Sequence, residues 1–206
     1  MSNVNNKNGE ITEEINMKVI LIGNSGVGKT NLINTCIGLS FDEGNNPSTS
    51  GSFVQKKINI GNKQYILDIW DTAGQETYKS ITKIFIKNSE LVIYVYDITD
   101  LKSFNDLEDW IKMTIDMIGN DYIGAIVGNK VDLYLNDQVK DEEARKYAES
   151  KGMKFQLVSA KTNPGLFTDF LKEIIQENEG LLSQNYTLKE NISLKSDNNA
   201  KKTCQC

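Results

Sequence analysis

The sequence predicts an α/β protein: a six-stranded, mostly parallel sheet with helices on both faces. Three observations predict it. Apolar runs of strand length alternate with segments of helical period from 18 to 175, the pattern of βαβ crossovers. The run Leu91–Tyr96 (LVIYVY) is continuously apolar, as a strand buried on both faces must be. Phe53–Ile60 and Tyr65–Trp70 flank the turn signal Gly61-Asn62, which predicts one antiparallel hairpin in that sheet.

The elements follow in order. Lys18–Ile22 (KVILI) is a short strand ending in a glycine loop, and Leu32, Ile33, Cys36 and Ile37 have helical spacing after it. Phe41–Ser52 is rich in Gly, Asn and Ser and reads as a loop before the hairpin. Beyond Leu91–Tyr96, a helical stripe runs through Leu107, Trp110, Ile111, Ile115 and Ile118. Ile123–Val127 is the next strand, and Asp141–Ser150 a helix stopped near Gly152. Phe155–Val158 and Leu166–Ile175 close the series as strand and helix. The polar stretch 1–15 reads as a disordered arm, 16–177 as the folded domain, and 178–206, rich in Asn, Ser and Lys, as a flexible tail.

Composition removes several classes of function. The net charge of -5 runs against a nucleic-acid partner. No run approaches the about 18 apolar residues of a membrane span, and the polar start has no apolar core of a secretory signal. Histidine is absent, which excludes Ser-His and Cys-His catalysis. Cys36, Cys204 and Cys206 form no disulfide framework or zinc pattern, so a reducing cytosol is expected. Arg145 is the only arginine.

The chemistry is concentrated in four short segments. Gly23-Asn24-Ser25-Gly26-Val27-Gly28-Lys29-Thr30 matches G-x-x-x-x-G-K-[ST] in full, between a strand and a helix. Its glycines let successive N–H groups face one anion at a helix N-terminus. Lys29 supplies a point charge for β- and γ-phosphates, and the Thr30 hydroxyl a ligand for Mg²⁺. Asp71 ends the strand before Thr72-Ala73-Gly74-Gln75-Glu76, where a carboxylate can face the same cation. Gly74 lets its N–H approach a γ-phosphate, and the Gln75 amide can orient an attacking water.

Asn129-Lys130-Val131-Asp132 follows a buried strand, at the end where open α/β sheets bind ligands. The Asp132 carboxylate can accept from guanine N1–H and N2–H₂ together, a donor pair adenine lacks. Asn129 can brace this loop and reach N7, and the Ala160 N–H of Ser159-Ala160-Lys161 can reach O6. Taken singly, the segments other than the phosphate loop are also ordinary turn and cap sequences.

Together, GNSGVGKT, WDTAGQE, VYDIT, GNKVD and SAK make the chain resemble small GTPases of the Ras superfamily, the Rab branch most closely, over about 16 to 177. The Rab likeness rests on Trp70, on YVYDIT, and on the terminal Cys204-Gln205-Cys206. The resemblance implies a P-loop fold that binds GTP and GDP with Mg²⁺ and hydrolyses GTP. It assigns Thr49 to Mg²⁺ and the γ-phosphate, Gln75 to catalysis, and Phe41 to the purine edge. Phe53, Trp70 and Phe85 fall where Rabs carry the aromatic triad that effectors read. It implies prenyl groups on Cys204 and Cys206, a site on the cytoplasmic face of an endomembrane in exchange with the cytosol, and vesicle traffic as the process. The partners it implies are an exchange factor, a GTPase-activating protein, effectors, a GDP-dissociation inhibitor and a prenylation escort, around a monomer.

The chain departs from the Rab pattern at Ser50-Gly51-Ser52-Phe53, at Thr77 and at Phe85-Ile86-Lys87-Asn88-Ser89, and its loop from Phe41 to Thr49 is one residue longer. Those changes fall on partner-facing positions and imply effectors of its own. Two other readings compete. A small-molecule kinase shares the phosphate loop but needs arginines around the transferred phosphate. A module that keeps nucleotide without hydrolysing it would suit the atypical first switch, but not an intact Gln75 and Thr49.

Overall fold

The computed structural model describes residues 4–5, 11–44, 52–72 and 84–182. Strands β2 (Ile11–Ile22), β3 (Ser52–Ile60), β4 (Lys63–Asp71), β5 (Leu91–Asp97), β6 (Ile123–Asn129) and β7 (Lys154–Leu157) form the expected six-stranded sheet, in the order β3-β4-β2-β5-β6-β7. Only β3 and β4 pair antiparallel within it, as the Gly61-Asn62 turn requires. A two-residue strand, β1 (Val4–Asn5), adds an antiparallel pairing to the start of β2.

The helices are α1 (Lys29–Cys36), α2 (Leu101–Asn105), α3 (Leu107–Ile118), α4 (Asp141–Ser150) and α5 (Pro164–Glu177), with a 3₁₀ segment at Val131–Asn136. Alternate residues of the central strands enter two separate cores. Val19, Leu21, Ile93 and Val95 pack with α1 and α5 on one face. Ile20, Ile22, Val92, Tyr94 and Tyr96 pack with α3 and α4 on the other. This is why LVIYVY carries no polar residue: both of its faces are covered. Strand order reverses at β2: β4 and β3 lie on one side of it, and the chain then crosses over to add β5, β6 and β7 on the other, β2 running parallel to both of its neighbours. The loop after β2 therefore opens at a topological switch point, where such sheets accept ligands.

Three elements differ from expectation. The strand β2 reaches back to Ile11, into the stretch read as an arm, because Glu13–Ile15 pair with Lys63–Tyr65 and Ile15 is buried. The charged residues there masked the strand, although its apolar alternation continues through Ile15 and Met17. The packed chain also continues past 177. Lys63 forms an ion pair with Glu179 at 2.8 Å, and Leu182 joins the core at 5% exposure. In α3, Leu107, Trp110, Ile111 and Thr114 are buried, while Ile115 of the expected stripe stands 40% exposed. Thr114 hides its hydroxyl by donating to the Trp110 carbonyl at 2.9 Å, so a polar residue takes the inward place.

Truncating Leu182 to alanine is expected to lower unfolding free energy by about 2–3 kcal/mol, read from the urea midpoint at unchanged slope. An unshifted midpoint would mean that the domain gains nothing beyond Glu177.

Candidate active site

The phosphate loop closes on itself through glycine. Gly23 lies against β5, where a Cβ would sit 2.1 Å from the Val95 carbonyl oxygen. Gly28, the residue before α1, has a left-handed φ of 95°, and a Cβ there would meet the Asn129 side-chain nitrogen at 2.3 Å. Neither position admits another residue without moving a strand or that amide.

Inside the loop Lys29 is buried, and its Nζ donates to the carbonyl oxygens of Gly23 and Asn24, each at 2.8 Å. Burial pushes its pKa down from 10.5 to about 8, and the nearby Asp71 carboxylate opposes this only in part. The Thr30 hydroxyl donates to Asp71 Oδ2 at 2.6 Å, which places two hard oxygen donors side by side at the end of β4. Thr72 is anchored behind them by a hydrogen bond to the Leu21 carbonyl at 2.7 Å.

The other end of the site is built by the loops after β6 and β7. Asn129 donates to the Val27 carbonyl at 2.9 Å and accepts from the Ala160 N–H at 3.3 Å. Lys130 takes a left-handed φ of 68°, and its Nζ pairs with Asp97 at 2.7 Å. The Ser159 hydroxyl donates to Asp132 Oδ1 at 2.5 Å and accepts from the Lys161 and Thr162 N–H groups. Lys161 pairs with Glu43 and stands 6.0 Å from the centre of the Phe41 ring.

One cavity of about 330 Å³ joins the two ends. Ser25, Gly26, Gly28, Lys29 and Thr30 line it on the phosphate-loop side, and Asn129, Lys130, Asp132, Ala160, Lys161 and Phe41 on the other. Its length runs from a buried cation to a carboxylate with a fixed orientation, a shape for an anionic ligand with a hydrogen-bonding head.

Comparison with known proteins agrees with this geometry. The model of the Ras family matches residues 18–178. The chain belongs to the Ras family. It is 43% identical over 162 residues to Ras-related protein Rab-21 of Homo sapiens, covering 77% of this chain and 72% of that one. To Rab-21 of the sponge Geodia cydonium it is 41% identical over 167 residues, covering 80% and 73%. To Rab-21 of Dictyostelium discoideum it is 38% identical over 177 residues, covering 84% of each. The chain is thus a Rab-type small GTPase, a GTP hydrolase that regulates membrane traffic.

In this GTPase most of the site residues named from sequence meet at one cavity; Gly23, Val27, Asp71 and Ser159 support its walls from behind. Thr49, Gly74, Gln75, Cys204 and Cys206 lie outside the described residues. Two contributors escaped sequence reasoning. Asp97 ends the apolar strand β5, and a carboxylate closing a buried strand was the available signal for it. Asn24 sits within the motif at a position where any residue is allowed, so nothing in the pattern marks it.

The Lys29 shift has a measurable consequence. Between pH 8 and 10.5 the unfolded chain keeps this lysine charged while the ligand-free fold does not, so that fold gains stability as pH rises through the window. An anion beside Lys29 reverses the shift, so binding takes up a proton. Calorimetry of GDP binding in buffers of differing ionisation heat should show uptake of about half a proton at pH 8 and little at pH 7. No difference between the two would mean that Lys29 is already charged without ligand.

Proposed function

We propose that the cavity holds GTP or GDP with its phosphates on the Gly23–Thr30 loop and its base between Asn129–Asp132 and Ser159–Lys161. The observation that carries this reading is the Asp132 carboxylate, oriented by Ser159 at 2.5 Å, on the wall of the cavity that also contains Lys29. A carboxylate held so accepts the paired donors of guanine, and adenine would leave it without them. Phe41, with Lys161 beside it, covers the purine edge.

Thr30 and Asp71 suit Mg²⁺, which favours a hydroxyl and one carboxylate together with phosphate oxygens. Bound there, Mg²⁺ would neutralise charge on the β- and γ-phosphates. Lys29 faces the same oxygens, aimed by the Gly23 and Asn24 carbonyls that its ammonium donates to. Thr49 and Gly74 are the residues that sense the γ-phosphate, and Gln75 orients the water that attacks it. Loss of the γ-phosphate then releases both segments, which is the switch.

Effectors read the switch at the tilted, contiguous rings of Phe53, Trp70 and Phe85. Successive centroids there are 5.2 Å apart, and Phe53 is 47% exposed. The tail beyond the domain is a tether that ends in Cys204 and Cys206. Two prenyl chains give stable attachment where one gives only reversible binding. This fits a monomer on the cytoplasmic face of an endomembrane, drawn into the cytosol by a GDP-dissociation inhibitor and loaded by a prenylation escort. An exchange factor and a GTPase-activating protein drive the two half-reactions.

Exchanging Asp132 for Asn tests the base assignment. The amide donates where guanine also donates, so GTP affinity should fall by about a hundredfold or more, while xanthosine triphosphate gains. Equilibrium competition against fluorescent GDP measures both. Unchanged GTP affinity with no gain for xanthosine would remove Asp132 from the base site.

A further inference from the structure

We propose that Asn24, held by Trp110 and Asp106, is a positioning clamp that keeps the entrance of the phosphate loop in its nucleotide-binding shape. The inference rests on the reading that this loop takes nucleotide phosphates. Asn24 is the second residue of the loop, and its side chain reaches across to α3. Its Nδ2 donates to Asp106 Oδ2 at 2.7 Å, and it accepts from Trp110 Nε1 at 2.9 Å. An indole N–H only donates and a carboxylate only accepts, so a primary amide is the group that answers both. The main-chain carbonyl of the same residue accepts from Lys29 Nζ at 2.8 Å. One residue therefore connects α3 to the phosphate-binding lysine.

The far end of the clamp is rigid. Trp110 is 1% exposed, packed in the core that α3 shares with β5 and β6. Asp106 joins α2 to α3 with helical angles, φ −71° and ψ −9°, rather than the extended ones of a capping residue, whose side chain accepts from the N–H groups of its own helix. Its side chain makes no such bond. It accepts from Asn24 and from Lys102, each at 2.7 Å. The helical backbone leaves this carboxylate facing the loop, which it holds through Asn24.

Both polar atoms of the Asn24 side chain are engaged by Asp106 and Trp110, so the side chain acts through the loop and not on the ligand. A shift of Asn24 moves the carbonyl that aligns Lys29, and with it the N–H groups that follow. The quantity it governs is the lifetime of bound nucleotide.

The test is GDP release from the purified full chain, timed with a fluorescent GDP at a temperature well below every variant's melting midpoint. N24D keeps the acceptor for Trp110 but sets a second carboxylate against Asp106. Release should quicken by about tenfold or more. Adding Asp106→Asn restores a donor opposite the new acceptor, and the double variant should return to within about threefold of the wild-type rate. A role confined to stability would lower the melting midpoint and leave release from the folded protein unchanged. If N24D does not fold, Trp110→Phe keeps the ring and removes the N–H, and release should quicken by about threefold or more. Wild-type release rates in the folded variants, or a double variant as fast as N24D, would overturn the clamp. A wild-type chain that retains no GDP would overturn the nucleotide reading itself, and the clamp with it.

Discussion

The site depends on one buried amide. Asn129 ends β6 at 2% exposure, and its two polar atoms tie the Val27 carbonyl to the Ala160 N–H. These belong to the phosphate loop and to the loop after β7, which are far apart in the chain and come from opposite ends of the cavity. The amide enters because Gly28 has no Cβ to block it. A buried amide that lost either partner would carry a desolvation cost of about 1–3 kcal/mol, so displacing any one of the three loops penalises the arrangement of the other two. Neighbouring pairs repeat the design. Lys130 is fixed by Asp97 from the adjacent strand, and Asp132 by Ser159. Each base-side residue is held by a group from another element, so the cavity is shaped by the fold before a ligand arrives.

Catalysis is less complete than binding. Among the described residues, the positive charge at the phosphate loop is Lys29, which is buried and held by two carbonyls. The only arginine, Arg145, lies on α4, bonded to Asp141 at 3.1 Å and set over the Phe155 ring at 5.3 Å. That places it with the helix on the β6–β7 side, away from the Gly23–Thr30 loop. A phosphoryl transition state spreads charge over three oxygens, and a second planar cation is what faster enzymes bring to it. On the function proposed above, that charge is left to be supplied in trans, as suits a switch whose timing is set from outside.

Much of this was legible in the sequence, for a physical reason. Strands covered on both faces must be apolar throughout, so LVIYVY and KVILI announce themselves. The phosphate loop needs glycine at positions where a Cβ would collide, so its spacing is nearly invariant in form. The hairpin was marked by Gly61, whose φ of 58° only a turn residue takes readily. What escaped notice was set by tertiary contact. Glu13 and Glu14 disguised the start of β2, whose partner is the Lys63–Tyr65 segment. Leu182 lies seven residues beyond Ile175 on the same helical stripe, and the polar run between them hid that continuation. Asn24 and Asp97 are polar residues whose partners lie on other elements, so spacing along the chain does not reveal those pairs, and only the place of Asp97 at the end of a buried strand marked it.

Single-turnover hydrolysis of GTP by the purified chain with Mg²⁺, and no other protein, tests the central claim most directly. A site whose described residues bring one lysine and no arginine to the phosphate loop should turn over on the order of 10⁻⁴ to 10⁻³ s⁻¹, the range of a Ras protein without its activator, and Arg145→Ala should leave that rate unchanged. Unaided turnover near about 1 s⁻¹, or a rate that collapses with Arg145→Ala, would contradict it.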